Sequence, residues 1–139
     1  MSFREKSAWL MGALMLGAGA YYVNMALAVL GETGAAAPPI AIFIPFTLLV
    51  VIASVVGQTA LALLTPREAN ARADEREKPL LDRAGRWSGL VLAAGTVTSL
   101  LYFLDHQNGV LLFHTIMCSL IVSQIAEYGI QIALVRQPY

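Results

Sequence analysis

Gln124, Glu127 and Gln131 place three long polar side chains inside the last apolar stretch of the chain, in the run Ser123-Gln124-Ile125-Ala126-Glu127-Tyr128-Gly129-Ile130-Gln131. At about 100° per residue they fall within roughly 60° of one helix face. Glu127 is the only carboxylate set well within any such stretch, and Ser123 completes the candidate cluster. A carboxyl group at that depth needs a polar partner or a countercharge, because lipid supplies neither. Gln58 lies six residues before Leu64, at a depth comparable to that of Glu127, and is the expected hydrogen-bond partner if the second and fourth apolar helices are neighbours. The nearest cation by depth is Arg86. Two chemistries suit the group: interhelical hydrogen bonding, or a proton-coupled or cation-binding carboxylate in a cavity.

A second set of candidates gathers at the other end of the spans, where Asp105, His106 and His114 could converge with Asn24. A lone histidine near an interface is more often a hydrogen-bonded packing residue than a ligand, so no metal is assigned there. No other cofactor is expected. The chain has no glycine-rich phosphate loop, no HExxH and no GxSxG, and an enzyme is not the reading these residues favour. Cys118 is the single cysteine, which precludes an internal disulfide, and its apolar surroundings suggest a small buried packing residue.

The elements that must position these groups follow from composition. The chain is 58% hydrophobic and 13% charged over 139 residues, with a mean hydropathy of +0.66. That charged fraction is about half of what a soluble domain carries, so a single membrane-embedded domain covering 1–139 is expected. Apolar stretches occupy about 7–30, 40–64, 84–104 and 110–135, each long enough to cross about 30 Å of hydrocarbon as a helix. The first is longer than a signal-peptide core and reads as a retained span. All nine basic residues lie in 1–6, in 67–86 or at 136, while the other two connections carry only Glu32 and the Asp105-His106 pair. The positive-inside rule therefore puts both termini and the middle connection in the cytoplasm. Trp9 and Trp87 then mark the inner interface. The expected architecture is all-α: four transmembrane helices as two hairpins, with lipid around them and no nucleic-acid surface, since formal net charge is zero.

Between the hairpins, Thr65-Pro66-Arg67-Glu68 fits a capping box with proline at its first helical position, and predicts a short charged cytoplasmic helix that Pro79 should end. Pro45 should kink the second span or mark a later start. In the third span Gly85, Gly89 and Ala93 recur every fourth residue, a small-residue ridge on which another helix could pack closely, within the monomer by preference or between protomers of a homo-oligomer.

The opening Phe3-Arg4-Glu5-Lys6-Ser7-Ala8-Trp9, the acidic-basic run Asp74-Glu75-Arg76-Glu77 and Arg83 together resemble a family of small, uncharacterised four-span bacterial inner-membrane proteins that carry an Asp-Glu-Arg-Asp/Glu signature in the cytoplasmic connection. The resemblance implies a bacterial inner-membrane location and four helices, and it brings no activity with it. The expected role is a structural or regulatory membrane component whose polar cluster stabilises the bundle, with 65–83, and Asp74, Glu75, Arg76 and Glu77 in particular, offered to a cytoplasmic protein partner. The alternative is a small proton- or cation-coupled transporter working through Glu127.

Overall fold

A computed structural model describes residues 2–36, 38–69 and 77–136. They form α1 (Phe3–Thr33), α2 (Pro39–Leu64), a single turn α3 (Pro66–Ala69), α4 (Glu77–His106) and α5 (Gly109–Arg136). The four long helices are each long and apolar enough to cross a membrane, which makes this a multi-pass membrane protein with lipid against its outer faces.

Local chemistry sets where the helices begin and end. Ser2 accepts a hydrogen bond from the Glu5 amide at 3.2 Å and caps α1. At the other end Gly34, at φ 68°, closes α1 by donating its amide to the Leu30 carbonyl. The link from α4 to α5 needs only Gln107, also at positive φ, and Asn108, whose side-chain oxygen accepts from the Leu111 amide.

Pro79 does not end a helix, and Pro45 does not mark a later start of the second span. Pro79 sits in the first turn of α4, where its missing amide proton would have had no intrahelical partner. α4 is already helical at Glu77, seven residues before the apolar pattern suggested. Pro45 lies inside α2, which runs unbroken from Pro39. At the expected capping box, the Thr65 hydroxyl turns back to the Leu61 carbonyl at 2.7 Å and ends α2 rather than opening α3.

Packing makes α5 the central element. It lies between α1 and α4, and α2 packs on the far side of α1. The contacts run antiparallel: along α1 and α5, Glu5 meets Arg136, Gly12 lies under Tyr128, Gly19 under Ile121, and Tyr22 meets His114. Glu5, Gly12, Gly19 and Ala26 recur every seventh residue of α1, and Ala8, Met15, Tyr22 and Val29 do so three places on. This is the seam of a left-handed helix pair, with glycines where the backbones come closest. Ala18, Tyr22, Ile42, Phe46, Met117 and Ile121 form the hydrophobic core, contributed by α1, α2 and α5. Tyr22 is its anchor at 1% exposure, edge-on to Phe46 at 5.4 Å between ring centroids.

α4 adds no residue to that core and meets α5 through small and polar residues. A Cβ at Gly95 would stand 2.5 Å from Ser119 Oγ and 2.7 Å from Ser119 Cβ, so the two backbones approach there as closely as they can. The ridge expected to do this, Gly85, Gly89 and Ala93, instead faces outward: a Cβ at either glycine would meet nothing within 4 Å, and Ala93 is exposed. Gly95 lies on the face of α4 that carries Ala84 and Ser88, both buried, whereas Gly89 lies on the lipid side.

Candidate functional site

On α5 the residues facing α4 form a polar row of period four: Thr115, Ser119, Ser123, Glu127 and Gln131. Each hydroxyl in the row bonds to its own helix, Thr115 to the Leu112 carbonyl, Ser119 to that of Thr115 and Ser123 to that of Leu120, at 3.0, 2.9 and 3.2 Å. The polar demand of these residues is met locally, and they behave as small packing residues that tolerate a close neighbour.

Glu127 cannot be satisfied by its own backbone, and its partners come from the seam. Ser88 of α4 donates to one carboxylate oxygen at 3.3 Å while also lying 3.0 Å from the Gly85 carbonyl. Gln131, one turn on, donates its amide to the other oxygen at 3.3 Å. Glu127 forms no ion pair with any described residue. Of the remaining members of the expected cluster, Ser123 is buried beside it, and Gln124 is half-buried without a side-chain hydrogen bond among the described residues.

Gln58 belongs to a different site. It exchanges hydrogen bonds with Ser7 of α1, at 2.8 Å from its amide and 3.1 Å to its carbonyl oxygen. The residue next to Glu127, Tyr128, covers Gly12. Gln58 is therefore about five residues nearer the helix end than Glu127, roughly 7 Å along α1, and α1 stands between most of α2 and α5. Arg86 is likewise not the countercharge; it is exposed, some 160° around α4 from Ser88.

The candidates toward the opposite helix ends separate too. His114 Nδ1 lies 2.7 Å from the Tyr22 hydroxyl, inside the aromatic core beside Phe113. His106 sits at the end of α4, stacked on Tyr102 at 3.9 Å, with Asp105 at 3.3 Å. Asn24 is exposed on α1. Among the described residues no three His, Cys, Asp or Glu side chains converge as a metal site would require. Cys118, expected to be buried, is exposed on the one face of α5 that neither neighbour covers.

Three features at the helix ends escaped the sequence reading. Glu5, only 8% exposed, receives Arg136 Nε at 2.9 Å, and that guanidinium also covers the Trp9 ring at 5.3 Å. Arg4 reaches Glu77 at 3.4 Å, so the one described residue of the Asp74-Glu75-Arg76-Glu77 run is joined to α1; Asp74, Glu75 and Arg76 lie outside the described residues. Toward the other end of the polar row, Thr98, Ser99, Tyr102, Leu111 and Thr115 line a groove of about 290 Å³ between α4 and α5. A Ser-x-x-Glu start at Ser2 and the period-four row were the readable signals; the ion pairs, which join residues more than 70 positions apart, had none. No protein-family model, no curated protein and no solved structure matches this chain, which leaves the seam's own geometry to carry the functional reading.

Proposed function

We propose that the protein is a structural or regulatory component of the bacterial inner membrane, its spans arranged as two hairpins with both termini in the cytoplasm and its 65–83 connector offered to a cytoplasmic protein partner. The one-sided placement of its basic residues supports the orientation. The pairing of Arg4 with Glu77 and of Glu5 with Arg136 agrees with it, since those contacts hold the starts of α1 and α4 beside the end of α5. The bacterial setting rests on the resemblance carried by residues 3–9, 74–77 and 83.

The observation that carries the structural reading is how Glu127 is used. Both its carboxylate oxygens accept hydrogen bonds from the chain's own Ser88 and Gln131, within a seam that tightens to contact at Gly95 and Ser119. Such a group acts as a link between helices. The transporter reading draws on a different observation, the polar row that runs from the outer groove down to Glu127.

Reconstituted vesicles separate the two. For a structural carboxyl group, Glu127→Gln keeps the shape and the acceptor for Ser88, so stability changes little, while Glu127→Leu strands the Gln131 amide and costs on the order of 1 kcal/mol. pH-driven proton uptake is then the same in wild type and Glu127→Gln. A wild-type proton flux that disappears in Glu127→Gln overturns the structural assignment in favour of transport, because glutamine cannot take up and release the proton.

A further inference from the structure

Arg83 and Arg86 are both exposed and neither forms an ion pair among the described residues, although carboxylates elsewhere at this end are paired. Trp87, 51% exposed, lies beside them. On a helix these three fall within about 100° of one another, the two arginines on the side of α4 turned away from α5 and Trp87 on its flank. Directly above them on the same side are Leu90, Val97 and Leu101, exposed by 56%, 56% and 62%. The backbone flank of that strip is open, since a Cβ at Gly89 would touch nothing within 4 Å.

We infer that this face is a binding site for an anionic phospholipid. Two guanidiniums without a described carboxylate partner offer charge-assisted hydrogen bonds to a phosphate and its anionic headgroup. An exposed indole marks the depth at which headgroups meet hydrocarbon. The apolar strip that continues from it gives acyl chains a surface in register with that headgroup. Asp82 is also exposed, one turn before Arg86, and is not ion-paired with it, so neither arginine is engaged by a described carboxylate. A zwitterionic phospholipid brings the same phosphate with a cationic group attached, and the two arginines select against it. The site rests on the membrane-spanning reading alone and not on the role assigned to Glu127.

The test is native mass spectrometry of the full chain in a non-ionic detergent, titrated with phosphatidylglycerol or with phosphatidylcholine of the same acyl chains. Wild type is expected to take up one phosphatidylglycerol in clear preference to phosphatidylcholine. Arg83→Gln/Arg86→Gln should weaken that binding about 30-fold, the loss expected for two basic groups at an anionic surface. Arg67→Gln/Lys78→Gln removes the same charge from the same end and should change binding less than twofold. Equal losses in the two double variants mean diffuse charge attraction and overturn the site. Equal uptake of the two lipids overturns it as well, as does a dimer that forms without lipid and excludes phosphatidylglycerol. Thermal unfolding of each variant confirms that the fold survives, and resistance of the protein to alkaline extraction from membranes tests the spanning reading separately.

Discussion

Replacing Gly95 with alanine probes the closest contact in the protein. The added Cβ would lie 2.5 Å from Ser119 Oγ, 2.7 Å from its Cβ and 3.5 Å from its Cα. Non-bonded carbons prefer about 3.5–4.0 Å, so the overlap with the Ser119 Cβ is close to 1 Å. Turning the serine hydroxyl relieves only the first of these contacts, because the Cβ is fixed by the backbone. α4 and α5 must then separate, and the Ser88 bond to Glu127, already 3.3 Å long, has little room to stretch before it is lost. Overpacking of this kind costs about 1–3 kcal/mol. Alanine also gains up to about 1 kcal/mol over glycine as a helix former, which obscures the single measurement. Gly89→Ala makes the same gain on the same helix with nothing within 4 Å, so the difference between the two variants isolates the clash. The assay is unfolding in mixed micelles, titrated with a denaturing detergent and followed by far-ultraviolet circular dichroism. Gly95→Ala is expected to lie about 1–3 kcal/mol below Gly89→Ala. Adding Ser119→Gly, which removes both offending atoms, should recover about 1–2 kcal/mol as a favourable coupling. Equal stability of Gly95→Ala and Gly89→Ala, or no coupling with Ser119→Gly, would refute the close seam.

The Glu5 pair predicts an asymmetry: its carboxylate side chain is 9% exposed and the Arg136 side chain 56%. Arg136→Gln leaves a buried charge without its partner and should cost about 1–3 kcal/mol, whereas Glu5→Gln frees an arginine that already reaches water and should cost less than about 1 kcal/mol, both read by the same unfolding titration. Equal costs would mean that burial of Glu5 is not what the pair serves. For orientation, cysteines placed singly at Glu32 and Asn70 in a Cys118→Ala background are exposed to an impermeant thiol reagent outside intact cells. Position 32 should label and position 70 should not. The reverse pattern inverts the topology, and labelling at both sites removes it.

The four spans were legible because length and hydropathy are properties of the chain alone. Which face of each span is buried was not. Apart from the polar row on α5, apolar residues cover lipid-facing and buried faces alike, so burial leaves little trace in hydrophobic periodicity, and the contrast that identifies a soluble core is missing. The signal that survives is residue size. Glu5, Gly12, Gly19 and Ala26 mark the α1 seam at period seven, while the more conspicuous Gly85, Gly89 and Ala93 mark a surface. Spacing shows that a helix has a small-residue face without saying what lies against it. Glu127 and Gln131 were placed together correctly because one helix carries both. Gln58 was misplaced because its depth was counted from the end of α2, and helices that share an interface need not end level; Gln58 reaches Ser7 instead.

The two interfaces of α5 rest on different physics. Toward α1 and α2 it contributes to a core of Tyr22, Phe46, Met117 and Ile121, where large interlocking side chains supply dispersion contacts that lipid tails would match only in part. Toward α4 it contributes hydroxyls bonded to their own helix and one carboxylate bonded across the seam. Close packing of small residues works in a membrane only while the backbones stay within contact, because a gap of 0.5–1 Å forfeits a quarter to a half of the attraction. A carboxylate in that seam strengthens the dependence on contact, since α4 cannot move away without leaving Glu127 to Gln131 alone. The Arg4 bond to Glu77 ties the start of α4 to α1, beyond the reach of the seam. Among the described residues α4 is thus held by one tight polar line and one surface ion pair, and it is the span whose position a change at Ser88, Gly95 or Glu127 controls most directly.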